Sequence, residues 1–149
     1  MNICLTHPEF GYYNRTDVFG RKGDFVTSPE ISQMFGECVA LWLYTQWIKN
    51  ESCFDITELG PGRGTLMADI LRTFSQLQKG AMLSKLQNIN LVDISDSLKE
   101  IQQKSLASYS HKLQFHLGID DLKLDKEKLN IIVANEFFDA LPVHRFQVG

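Results

Sequence analysis

The sequence predicts an α/β domain, a mostly parallel sheet with helices on both faces. Three observations carry that prediction. Short apolar runs alternate with amphipathic helical stretches from residue 54 onward. One of these runs passes straight into a glycine-rich turn, Gly60-Pro61-Gly62-Arg63-Gly64, with a helical pattern behind it. The 149 residues are 44% hydrophobic and 22% charged, which suits one globular core.

Residues 1–27 are rich in Gly, Tyr, Phe and Asp, lack a helical period, and read as an ordered loop. Ser28 and Pro29 then supply an N-cap and a first helical position. That helix is expected to run to about residue 49, with Ile31, Met34, Phe35, Cys38, Leu41, Trp42 and Thr45 on its apolar face. Phe54–Leu59 is a short apolar run and reads as a buried strand. Residues 65–77 form an amphipathic helix with Leu66, Ile70, Leu71, Phe74 and Leu77 inward and Gly80 as its stop.

Residues 90–94 read as a second strand. Ser95 or Ser97 caps a helix reaching about residue 108, with Leu98, Ile101 and Leu106 facing in. Residues 113–117 are a third strand. The most hydrophobic run, LNIIVAN at 129–135, reads as a central strand. A helical turn at 137–140 is stopped by Pro142, and 143–148 begins another strand. A doubly wound sheet usually continues past this point, so the domain is expected to be incomplete.

Several function classes are disfavoured. Net charge is -3 with Lys and Arg scattered, so no basic face points to nucleic acid. No apolar run approaches the roughly 18–20 residues that span a bilayer. Neither a signal peptide nor an Arg-rich transit pattern opens the chain, which favours a bacterial cytoplasm, with the mitochondrial matrix as the alternative. Cys4, Cys38 and Cys53 form no close pair and read as small apolar residues in a reducing compartment. No histidine has partners at metal spacing, so no metal is expected. Nothing in the sequence speaks to oligomeric state.

The glycine turn carries the chemistry. Glycines between a strand and a helix let a ligand approach the backbone, and the helix N-terminus favours a carboxylate or phosphate. A phosphate loop would need a lysine here, and there is none. A dinucleotide fingerprint would place its third glycine at Thr65, whereas glycine stands at Gly64. Glu58, just before the turn, suits an ammonium group. A ligand with both an amine and a carboxylate, such as the methionyl end of S-adenosylmethionine, fits both features. Asp93, at the end of the second strand, can accept hydrogen bonds from two ribose hydroxyls or can simply cap the next helix. Asn135 and Glu136 fall beyond the carboxyl end of a strand, where ligands of open α/β sheets bind.

Three blocks resemble the MidA family of S-adenosylmethionine-dependent methyltransferases: PEFGYYNRTDVFGRKGDFVTSPEISQMFGE (8–37), ELGPGRGTLMADILR (58–72) and ANEFFDALPVHRF (134–146). The resemblance spans nearly the whole chain. It implies a Rossmann-like class I methyltransferase fold. Residues 1–50 would form an N-terminal loop and helix, and residues 51–149 the first half of the sheet. It further implies S-adenosyl-L-methionine as cofactor and a protein substrate methylated on arginine. One family member assists assembly of respiratory complex I, so a complex I subunit is the candidate acceptor.

Family members are usually much longer, with a helix before this start and strands after this end. A truncated or split, inactive fragment acting as a binding or assembly module is therefore the competing reading. On the resemblance, Glu58, Gly60, Gly62, Gly64 and Asp93 bind the donor. Asp24, with Thr27 and Ser28, forms either a lid or wall over it or simply the lead-in loop of a capped helix, and His116 offers a rest for adenine. Glu136 is the expected holder of the acceptor guanidinium, with Asp139 second and Asn135 beside them. A catalytic part for His144 is the weaker alternative to an ordinary turn histidine.

Overall fold

In the computed structural model, residues 10–11, 27–143 and 146–147 are described. Asp24, His144 and most of the expected 1–27 loop lie outside them, as does half of the expected 143–148 strand.

The N-terminal helix is two helices, not one. α1 spans Ser28–Ile31 and α2 spans Gln33–Trp47. Ser32 between them is extended at φ -151°, ψ 126°, and its side chain accepts the Met34 N–H at 3.2 Å, starting a fresh helix. The cap of α1 is Thr27 rather than Ser28, and Pro29 sits in the first turn.

The buried face of α2 also differs from expectation. Ile31, Met34, Leu41 and Trp42 are exposed, whereas Gly36, Ala40, Leu43 and Trp47 are buried. The reason is close approach. A Cβ on Gly36 would stand 2.5 Å from Asp69 Cβ on the neighbouring helix, so the glycine side is the side that packs. Counting apolar side chains missed a face built on small ones. Cys38 and Cys53 are exposed free thiols, and Cys38 thus lies off the packed face on which it was expected.

β1 (Phe54–Leu59) has the expected bounds and is buried along its full length, as a strand covered on both faces must be. α3 (Thr65–Gln76) buries Leu66, Ile70, Leu71 and Phe74, and Phe74 meets Phe54 edge-to-face at 6.2 Å. α3 ends at Leu77, short of Gly80, which instead precedes an unforeseen short helix, α4 (Ala81–Lys85). β2 (Leu86–Val92) starts earlier than expected and ends one residue before Asp93. α5 (Asp96–Ser105), β3 (Leu113–His116) and β4 (Leu129–Val133) follow.

The strands lie in the order β3-β2-β1-β4, and every pairing is parallel. β4 is therefore an edge of the described sheet, not its centre, and Ile132 is half exposed there. The chain steps from β1 outward to β3 and then returns to the other side of β1. That reversal opens a crevice beyond the carboxyl ends of β1 and β4.

Candidate functional site

The segments leaving all four strands line one cavity of about 820 Å³. The volume suits a nucleotide-sized ligand, since small-molecule pockets run to roughly 300–1,000 Å³. Glu58, Gly60, Gly62, Asp93, Asn135, Glu136 and Asp139 all line it, as do Thr27 and Glu30. Gly64 does not. It is buried at the start of α3 in the left-handed region, φ 79°. His116 does not either: its Nε2 pairs with Asn90 Oδ1 at 3.0 Å. Leu117, Gly118, Ile119 and Asp120 stand at the cavity instead.

Two glycines need their freedom. At Gly62, φ is 52° and a Cβ would meet nothing within 4 Å, so the backbone is bare toward open space. At Gly60, φ is 65° and a Cβ would meet the Phe137 ring. The Gly60 N–H also donates to Val92 O at 3.0 Å, fixing the turn to the end of β2.

Glu58 is 3% exposed, and its Oε2 has no hydrogen-bond partner among the described residues. Burial pushes its carboxyl up to about 8; the Met67 backbone N–H opposes that shift and Asp93 adds to it. A buried acceptor without a donor carries a desolvation penalty, and a cationic ligand group would relieve it.

Asp93 is held from within. Its Oδ1 accepts the Ser95 N–H at 3.0 Å and its Oδ2 accepts Gln102 Nε2 at 3.2 Å. Burial raises its pKa above the ordinary value, against the pull of those hydrogen bonds. Asp93 thus helps order the start of α5 while still lining the cavity. Its bond is to the N–H of the N-cap residue Ser95 and not to the first turn, so Asp93 orders the lead-in to α5 and does not cap it.

Glu136 takes a left-handed conformation, φ 48°, rare for a residue with a side chain. Its Oε1 accepts from both the Ser28 N–H and the Ser28 hydroxyl, each at 3.3 Å. On the far side of α1, Thr65 donates to Glu30 at 3.1 Å. α1 is thus tied to the segment after β4 and to the start of α3, walling one side of the cavity. Gln102 and Glu30 were missed in the sequence. Gln102 reads as a polar residue in a polar helix, and only its burial marks it.

The orphaned Glu58 oxygen, the bare backbone at Gly62 and the two-oxygen edge of Asp93 fit an adenosyl amino acid. Residues 38–149 match a protein-family model described as "Putative S-adenosyl-L-methionine-dependent methyltransferase". The chain belongs to this family.

Related methyltransferases agree with that membership and with the MidA resemblance. The chain is 44% identical over 167 residues to a Mus musculus protein named protein arginine methyltransferase NDUFAF7, mitochondrial, covering 99% of this chain and 38% of the relative. The Homo sapiens protein of that name is 40% identical over 167 residues, covering 99% and 37%. The chain thus spans well under half the length of these curated relatives.

Among solved structures, a COG1565 superfamily member from Burkholderia thailandensis bound to S-adenosyl-homocysteine superposes with a TM-score of 0.75 at 25% identity, covering 95% of this chain and 36% of that one. A native structure of a COG1565 superfamily protein from the same organism gives 0.59 at 26% identity, covering 87% and 33%. The parallel α/β sheet expected from the strand and helix order, and the methyltransferase fold implied by the MidA resemblance, are the fold observed, and S-adenosyl-L-methionine is the family's cofactor. No helix among the described residues is long and apolar enough to cross a membrane.

Proposed function

We propose that this chain is a partial methyltransferase domain, residues 1–149, that holds S-adenosylmethionine for methylation of arginine on a protein. The observation that carries this is the buried, partnerless Glu58 oxygen beside an open glycine turn. Glu58 would hold the donor's ammonium, and the turn and α3 N-terminus its carboxylate. Asp93 would hold the ribose diol. Ile94, Leu98 and Ile119 supply apolar walls for adenine, with Asp120 at its polar edge. When bound, the donor supplies an electrophilic methyl group.

Glu136, with Asp139 and Asn135, would hold the acceptor guanidinium across the same cavity and aim one nitrogen inward. Alignment supplies much of the rate in such a transfer, so no strong general base is required. The names of the relatives support an arginine acceptor and a mitochondrial setting over a bacterial cytoplasm. A respiratory complex I subunit as acceptor rests on the family resemblance.

Calorimetric titration of the folded chain with S-adenosylmethionine tests the reading, with NAD as control. Saturable binding of the donor alone supports it. A folded chain that ignores the donor overturns it and leaves the binding-module alternative.

A further inference from the structure

We infer that Gln102 is a positioning residue of the donor site, acting through Asp93 and the Gly62 turn without touching the donor. The inference rests on the donor-binding reading above. Gln102 comes from α5 and is fully buried. Its Nε2 donates to Gly62 O at 2.8 Å and to Asp93 Oδ2 at 3.2 Å. An amide nitrogen has two hydrogens, so one donor group serves both halves of the site. Gln102 does not line the large cavity.

The effect on Asp93 follows from counting acceptors. A carboxylate offers about four lone-pair positions. Ser95 takes one on Oδ1 and Gln102 takes one on Oδ2. The Ile94 N–H is a third internal donor, so the carboxylate is held against rotation and keeps an acceptor position for a ribose hydroxyl on the cavity it lines. The hold on Gly62 is equally direct. Its carbonyl is engaged by Gln102, which leaves the other side of the turn bare. Helix α5 also packs on the turn, since a Cβ on Gly64 would stand 3.6 Å from Gln102 Cα.

A core packing role alone does not account for the amide. Gln102 Oε1 is buried without a partner among the described residues. A leucine or methionine would fill the space without that penalty. What the amide adds is two aimed N–H groups.

Gln102→Met keeps the length of the side chain and removes both donors. In the 149-residue chain, S-adenosylmethionine affinity by calorimetry is expected to fall roughly tenfold or more. Because part of the effect runs through Asp93, Gln102→Met should cost less affinity in the Asp93→Ala background than in the wild type, the share through Gly62 remaining. Loss of a donor also lets the Asp93 pKa climb further, so the acid limb of donor binding should move toward neutral pH. The other titratable groups near Asp93 are Glu58, Asp96, Lys99, His116 and Asp120, and they are shared by both proteins in the comparison.

Gln102→Glu, which keeps the shape and sets a carboxylate against Asp93, is the second variant if methionine prevents folding. Its loss should exceed that of Gln102→Met. Unchanged affinity and pH limb in whichever variant folds, or losses additive with Asp93→Ala, overturn the inference alone. Failure of the unmodified protein to bind the donor overturns the donor site as well.

Discussion

A Cβ on Gly60 would stand 2.7 Å from Cδ2 of Phe137, so the turn after β1 and the turn after β4 interlock through a missing side chain. Gly60→Ala adds both that overlap and the strain of φ 65°. The variant should lose about 2 kcal/mol or more in urea unfolding. Phe137→Ala in that background should return only the steric part of the loss.

Glu58 sets a pH dependence of stability. Its folded pKa of about 8 lies above the ordinary 4.5. Its contribution to the folded state is therefore fully present below about 4.5 and is lost as pH rises through about 8. Glu58→Gln removes that loss. Without ligand, the variant should be more stable than the wild type above pH 8, by on the order of a few kcal/mol. A flat difference between the two proteins from pH 5 to 9 would count against it.

The same carboxyl predicts proton release. At pH 7 Glu58 is mostly protonated, and an ammonium placed against it would ionise it. Donor binding should release up to roughly one proton. Calorimetry in buffers of different ionisation enthalpy reads this number, and Glu58→Gln should abolish it.

Asp93→Ala should weaken donor binding by about tenfold to a hundredfold, the scale of hydrogen bonds to a charged group. Equal affinity in the variant would remove Asp93 from the site.

Glu136→Gln keeps an acceptor oxygen for Ser28 and removes only the charge. Donor binding should be unchanged, while the matching change in a full-length relative should lower methyl transfer to arginine about tenfold or more. Loss of donor affinity instead would show that Glu136 serves the wall formed by α1 and not the acceptor.

How much of this was legible depended on distance along the chain. β1, the glycine turn and the start of α3 are contiguous, and their period and glycine spacing sufficed. Asn135 and Glu136 followed from the rule that sheet crevices lie beyond strand ends, and both line the cavity. The packed face of α2 was not legible, because Gly36 is chosen by its approach to Asp69, a residue 33 positions away. Gly36→Val should therefore lose about 1–3 kcal/mol in urea unfolding. Trp42→Ser, at the most conspicuous residue of the expected face, should change stability by about 0.5 kcal/mol or less.

The sequence by itself determined the alternation of strands and helices, the open backbone of the turn and an acid placed before it. Those properties are local, set by side-chain period and by the freedom of glycine. Only the tertiary structure decided that one Glu58 oxygen has no partner among the described residues, that Gln102 bridges Gly62 and Asp93, and that His116 turns to Asn90 instead of the cavity. Burial and hydrogen-bond pairing belong to neighbours in space, and α5 meets the turn only after the sheet has formed.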